Sequence, residues 1–177
     1  MLSFRNATKE DAGNIAMLHT ESWKNAYKGI LSDEYLSGQV LEDRLETWKN
    51  RFVNPPANQF IILAEEKDFL VGFVCIYGNL DKEFGSLIDN LHVKPAFKGK
   101  GIGKNLLKIA SDLIFEKFET RIMHLWVFEA NTSAIAFYEI CGGKKAEKCL
   151  KDNPDGTQSY CFRMVWGKIE IDYLQAK

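Results

Sequence analysis

Apolar residues recur along the chain with two different periods, and the switch between them outlines the fold. Residues 9–28 place Ile15, Ala16, His19, Trp23, Ala26 and Tyr27 at the spacing of one helix face. Thr8 precedes them as a candidate N-cap, with Asp11 in the first turn. A second helix is predicted over residues 33–51. Pro55-Pro56 stops it, because proline lacks an N–H and clashes with the preceding turn. The apolar runs 60–65 and 69–77 flank the polar turn Glu66-Lys67-Asp68, a pattern that predicts an antiparallel hairpin. Residues 86–93 predict another strand, ending at Lys94-Pro95. A helix over about 101–118 follows, its apolar face formed by Leu106, Ala110, Leu113, Ile114 and Phe118. Residues 123–128 predict a strand, and 132–140 a short helix ended by Gly142-Gly143. The last strands, 144–150 and 160–168, flank a turn containing Asn153-Pro154-Asp155-Gly156. With an opening strand at 2–6, the order is β-α-α-β-β-β-α-β-α-β-β. That order predicts an α/β fold built on a mixed sheet, with a central β-α-β crossover from 86 to 128.

Length and charge narrow the classes. A chain of 177 residues fits a single domain, 1–177, better than two small ones. The net charge of −1 gives no general pull toward nucleic acid or membrane, so neither is an expected partner. The longest apolar runs are too short to span a bilayer. The start Met1-Leu2-Ser3-Phe4-Arg5-Asn6 lacks the apolar stretch of a secretion signal, so a cytoplasmic location is expected. Cys75, Cys141, Cys149 and Cys161 share no C-x-x-C spacing and are expected as free thiols. His19, His92 and His124 are widely spaced, so no metal site is expected.

The sharpest local signal is Lys98-Gly99-Lys100-Gly101-Ile102-Gly103-Lys104, between a strand and a helix. Glycines allow a tight turn and close approach of a ligand. The helix start leaves N–H groups unpaired and carries a positive dipole end. Three lysines within seven residues add charge, and together these features suit a pyrophosphate. The phosphate loop G-x-x-x-x-G-K-[ST] fails at Lys98 and Asn105, and the dinucleotide fingerprint G-x-G-x-x-G fails at Lys104. A flexible Gly-Lys loop ahead of a helix stands as the bland alternative.

The segment Lys98-x-x-Gly101-x-Gly103, preceded by Leu91-His92-Val93-Lys94-Pro95, resembles the signature of the GNAT superfamily of N-acetyltransferases. A second stretch, Asn131-x-x-Ala134-x-x-Phe137-Tyr138-Glu139 followed by Gly142-Gly143, resembles the same family, in the expected order. Lys98 stands where Arg or Gln is usual, and Gly143 replaces a phenylalanine. The resemblance implies a mostly antiparallel sheet in which two parallel strands, 86–93 and 123–128, splay apart. It implies acetyl-coenzyme A as co-substrate, without a metal. The pantetheine arm would lie along Leu91, His92 and Val93, paired with backbone groups of Leu91 and Val93. Lys98, Gly99, Lys100, Gly101, Ile102, Gly103 and Lys104 would take the pyrophosphate, with Asn131 and Phe137 assisting. The acceptor would be a primary amine of a small molecule or peptide, between the first two helices and the loop joining the last strands. A homodimer is left open.

Acetyl transfer from a thioester needs a neutral amine, donors for the oxyanion and a proton for the leaving thiolate. Tyr138 falls at the family's Phe-Tyr position and is the candidate acid; packing on the sheet is its alternative role. Asn131 fits both a cofactor contact and an N-cap. Many relatives place the base at a glutamate where this chain has Leu87. Asp89, two residues on and on the same strand face, is the nearest substitute, or else a salt-bridged carboxylate. Glu129 and Glu21 are further carboxylates. Trp23, Tyr27 and Tyr35 fit either an aromatic acceptor wall or the core, and Glu21, Asp33 and Glu34 could attract a cation. The rival class is an acyl-coenzyme A-binding sensor or scaffold without catalysis, supported by Leu87.

Overall fold

A computed structural model describes residues 1–167. In chain order its elements are β1 (Leu2–Asn6), α1 (Ala12–Ala26), α2 (Val40–Val53), β2 (Gln59–Glu66), β3 (Phe69–Asp81) and β4 (Gly85–Val93). They continue with α3 (Ile102–Phe118), β5 (Met123–Phe128), α4 (Thr132–Ile140), β6 (Lys144–Asp152) and β7 (Gln158–Trp166). Lys168 of the predicted last strand, with the rest of 168–177, lies outside the described residues. The strands form one sheet in the order β1-β2-β3-β4-β5-β7-β6. Every neighbouring pair is antiparallel except β4 and β5, which α3 connects as the crossover.

Boundaries shift where side chains compete with the helix. The first helical turn is a tighter 3-10 turn, Lys9–Asp11, in which Thr8 N–H donates to Asp11 Oδ2 at 2.8 Å. The helix predicted from residue 33 does begin there, but it winds into a π-helical turn over Tyr35–Gln39 before α2 begins. The third helix starts one residue later than expected, because Gly101 is its left-handed cap.

Each sheet face has its own core. Residues of α3 (Leu106, Leu107, Ala110, Ile114) pack on Ile62, Val74, Ile76, Ile88 and Leu125. On the opposite face, Ile15 and Leu18 of α1 and Trp48 of α2 pack on Ile61, Leu63, Phe73 and Cys75. Burying each large aliphatic side chain contributes roughly 1.5–3 kcal/mol. Among the described residues, no helix is long and apolar enough to cross a membrane.

Two irregularities of β4 set the geometry around the crossover. First, β4 and β5 pair only through Ser86↔Met123 and Leu87↔His124, and then they part. Second, β4 carries a bulge: Ile76 faces Ile88 and Cys75 faces Asn90, so Asp89 is the extra residue. Past a bulge the alternation of faces inverts. Leu91 and Val93 therefore turn toward α3, while His92, opposite Phe73, turns toward α1 and α2.

Candidate active site

The glycine loop is built as a cradle. Gly99 and Gly101 have φ of 78° and 77°, a region side chains enter at a cost, and no atom lies within 4 Å of where a Cβ on either would stand. Among the described residues, no acceptor takes the N–H groups of residues 99–104. Those donors open at the start of a 17-residue helix, where the dipole favours an anion. Lys98 and Lys100 are exposed and Lys104 is partly exposed; Lys100 also lies over the Phe97 ring at 4.6 Å. None of the three lysines has an ion-pair partner among the described residues. Ile102 is buried and anchors the helix start in the core. Phe137 of α4 seats the loop from below: a Cβ on Gly103 would stand 3.2 Å from its Cζ.

Asn131 caps α4, its Oδ1 accepting the Ala134 N–H at 3.3 Å and the Ser133 hydroxyl at 3.1 Å. Both readings of this residue are compatible with that cap. Tyr138 is half-buried, with ring centroids 5.3 Å from Phe137 and 5.9 Å from Trp166. Its hydroxyl has no hydrogen-bond partner among the described residues. Burial, with Tyr27 and Cys141 nearby, raises the Tyr138 phenol above its ordinary value, so it carries its proton at neutral pH. Cys141 is buried, and burial raises its thiol, which suits packing rather than nucleophilic attack.

Asp89 is tied down. Arg51 of α2 pairs with its Oδ2 at 2.7 Å, and the Asn90 side-chain amide donates to the same oxygen. Arg51 is itself held over the Trp48 ring at 4.8 Å. His92, placed by the bulge, points away from the glycine loop's side of the sheet. Its Nδ1 lies 2.8 Å from Ser22 Oγ of α1, and its ring lies tilted against His19, with centroids 4.4 Å apart. His19 Nδ1 accepts the Trp48 indole N–H at 3.0 Å, and burial holds His19 well below the ordinary histidine value.

Beyond His92, Trp23, Tyr27 and Phe128 form an aromatic wall packed on a third buried cluster of Leu31, Tyr35, Leu36 and Val40. Tyr27 meets Phe128 edge-on at 4.9 Å and Trp23 at 5.3 Å; Tyr35, almost fully buried, lies 6.5 Å from Trp23. The Arg44 guanidinium covers Trp23 at 4.3 Å and pairs with Asp43 at 3.0 Å, and Asp43 also accepts the Tyr35 hydroxyl. Glu21, Asp33 and Glu34 are exposed, and Glu129 pairs with Lys148 at 2.7 Å. Of the two roles the sequence offered Trp23, Tyr27 and Tyr35, the structure shows the packing one, and Arg44, Phe128 and the His19–His92 pair were missed. Helix periodicity could have flagged Arg44 and Trp48 on one face four residues apart.

Among the described residues, no three His, Cys, Asp or Glu side chains gather as a metal site. Comparison with known proteins bears on the fold and the family. The solved structure of the PaiA N-acetyltransferase from Thermoplasma acidophilum, in complex with coenzyme A, superposes with a TM-score of 0.73 at 25% identity. That match covers 94% of this chain and 99% of that one. The uncharacterized N-acetyltransferase YuaI of Bacillus subtilis is 27% identical over 157 residues, covering 86% of this chain and 84% of its own. A spermidine N(1)-acetyltransferase of Thermoplasma acidophilum is 29% identical over 140 residues, covering 77% and 84%. The profile of the Acetyltransferase (GNAT) family matches residues 18–142. A family profile spanning residues 18–142, most of the chain, leaves one assignment: the chain belongs to the acetyltransferase (GNAT) family.

Proposed function

We propose that the protein transfers an acetyl group from acetyl-coenzyme A directly to a primary amine of a small molecule or peptide. The observation that carries this reading is the cradle of N–H groups at residues 99–104, unpaired among the described residues, beside the parting of β4 and β5. The residues fit the co-substrate. The N–H groups of Gly99 to Lys104, with Lys98, Lys100 and Lys104, would hold its diphosphate. Leu91 and Val93, whose side chains face α3, leave β4 main-chain groups free toward β5 for the extended arm. The acetylated co-substrate supplies an activated acyl carbon and a thiolate leaving group.

The protein's own part is orientation and proton management. Tyr138, protonated at neutral pH, would give its proton to the departing sulfur. Trp23, Tyr27 and Phe128 would line the acceptor side and keep water out. Asp89, bound to Arg51 and Asn90, holds α2 to β4 in this reading. Spermidine, the substrate named for one relative, is a first acceptor to try.

The test is release of free thiol from acetyl-coenzyme A across a panel of amines including spermidine, with the acetylated product identified by mass. Amine-dependent release supports the reading. Tight coenzyme A binding with no release for any amine would favour the sensor or scaffold alternative, which Leu87 at the usual glutamate position supports.

A further inference from the structure

We propose that His92 is the catalytic residue that accepts the proton from the acceptor amine, and that Ser22 positions it for that task. The proposal rests on the acetyltransferase reading and supplies the base that Leu87 and the tethered Asp89 do not.

Placement carries the argument. The extra residue at Asp89 turns His92 onto the face of β4 that looks at α1 and α2, where the aromatic wall stands. It lies on the stretch of β4 that has left β5 and whose main chain is open to the co-substrate arm. The ring is fixed on three sides: by His19 at 4.4 Å, by Phe73 at 5.4 Å and by Ser22 Oγ at 2.8 Å from Nδ1. Nε2 is different. It has no hydrogen-bond partner among the described residues, and it is not among the polar atoms sealed from solvent, as His19 Nε2 is. With Nδ1–H donating to Ser22, the Nε2 lone pair is free for a ligand.

The surrounding charges keep that lone pair available. Burial, then Lys98 of the glycine loop and Arg44 of α2, lowers His92 to about 3. His19 of α1 is neutral beside it, Arg44 and Arg51 of α2 act on His19, and Asp89 is occupied by Arg51. An imidazole of such low basicity cannot strip a free ammonium ion, so the amine must arrive neutral. A nitrogen that has begun to bond to carbon is far more acidic, and that proton it can take. In the balanced step, the carbon–nitrogen bond forms as the carbon–sulfur bond breaks. The nitrogen's surplus proton goes to His92 Nε2, and the sulfur leaves as a thiol carrying the Tyr138 proton. The imidazolium then gives its proton to solvent, and the phenolate takes one back.

Two variants and one spectroscopic measurement test this. His92→Ala should lower transfer to an alkyl amine at least tenfold, leave acetyl-coenzyme A affinity within twofold by calorimetry, and regain activity with added imidazole. His92→Asn can keep an N–H toward Ser22 while removing the ring nitrogen, so it should lose activity to the same extent if the alanine variant does not fold. In the free protein, long-range proton–nitrogen NMR should show His92 with its hydrogen on Nδ1 at neutral pH. Full activity in either variant, a folded alanine variant that imidazole does not rescue, or a hydrogen on Nε2 overturns the assignment to His92 while leaving acetyl transfer intact. A wild-type protein that acetylates no amine overturns the acetyltransferase reading, and this inference with it.

Discussion

The main-chain N–H of Ser32 donates to Asp155 Oδ2 at 2.7 Å, fastening the turn between β6 and β7 to the connection that follows α1. The two segments lie 123 residues apart in the chain and meet beside the aromatic wall. Asp155 also orders its own turn, accepting the Thr157 N–H and hydroxyl. We predict that Asp155→Ala loosens the acceptor side alone. A hydrogen bond to a charged group is worth about 1.5–3 kcal/mol, so KM for the amine should rise roughly tenfold. Acetyl-coenzyme A affinity, measured by calorimetry, should stay the same; a weakened cofactor affinity would show that the tie serves another part of the site.

Gly101→Val should empty the cradle. Valine at a φ of 77° is strained by about 1–3 kcal/mol, and its side chain would occupy the open space in front of the donors. Coenzyme A affinity should fall by roughly a hundredfold or more. Calorimetry showing wild-type affinity would remove the loop from the site.

Tyr138→Phe removes one hydroxyl that makes no hydrogen bond within the described residues, so the fold should not notice. Turnover should drop by roughly 10²-fold, the scale of a lost general acid, with acetyl-coenzyme A affinity unchanged. An undiminished kcat would reduce Tyr138 to a packing residue.

For Asp89→Asn we expect the opposite pattern. The change weakens the Arg51 pair and should cost about 1 kcal/mol in denaturant unfolding, because the pair is partly exposed. Turnover should remain within about threefold of wild type. A large loss of kcat with full stability would restore Asp89 as a base.

Stability should also respond to pH through Asp11. The bidentate Arg5 guanidinium, at 2.8 Å to both oxygens, is the main cause that lowers Asp11 from 3.8 to about 2. A carboxylate depressed on folding stabilises above its unfolded value, and loses that contribution as pH falls through the folded one. The stabilisation is therefore complete above about pH 4 and gone below about pH 2. Arg5 is 41% exposed, so the lowering is discounted to about 1–2 kcal/mol. Unfolding curves of wild type and Asp11→Asn should differ by that amount at pH 7 and converge near pH 2. A constant gap would mean the pair is not what titrates.

Much of this architecture was legible in the pattern of apolar positions. Element order follows from it, because helices and strands present their buried faces at different periods. The glycine loop of the candidate site was legible too, since Gly99, Gly101 and Gly103 are local features of one segment. The surroundings of His92 and Arg44 were not. Strict alternation from Ile88 places His92 on the α3 face with the other cofactor-side residues; one extra residue at Asp89 reverses that, and nothing in the local sequence marks a bulge. Arg44 was missed because its partner Trp23 lies 21 positions away and meets it only when α1 packs on α2.

The parting of β4 from β5 has a wider meaning for how this protein lives among others. Unpaired strand edges ordinarily sit at the rim of a sheet, where they invite foreign chains and aggregation. Here two such edges are folded into the middle, with α1 and α3 packed on opposite sides of β4 as guards. The backbone can thus stay open at its centre, accessible to a slender, linear guest and closed to another protein's sheet.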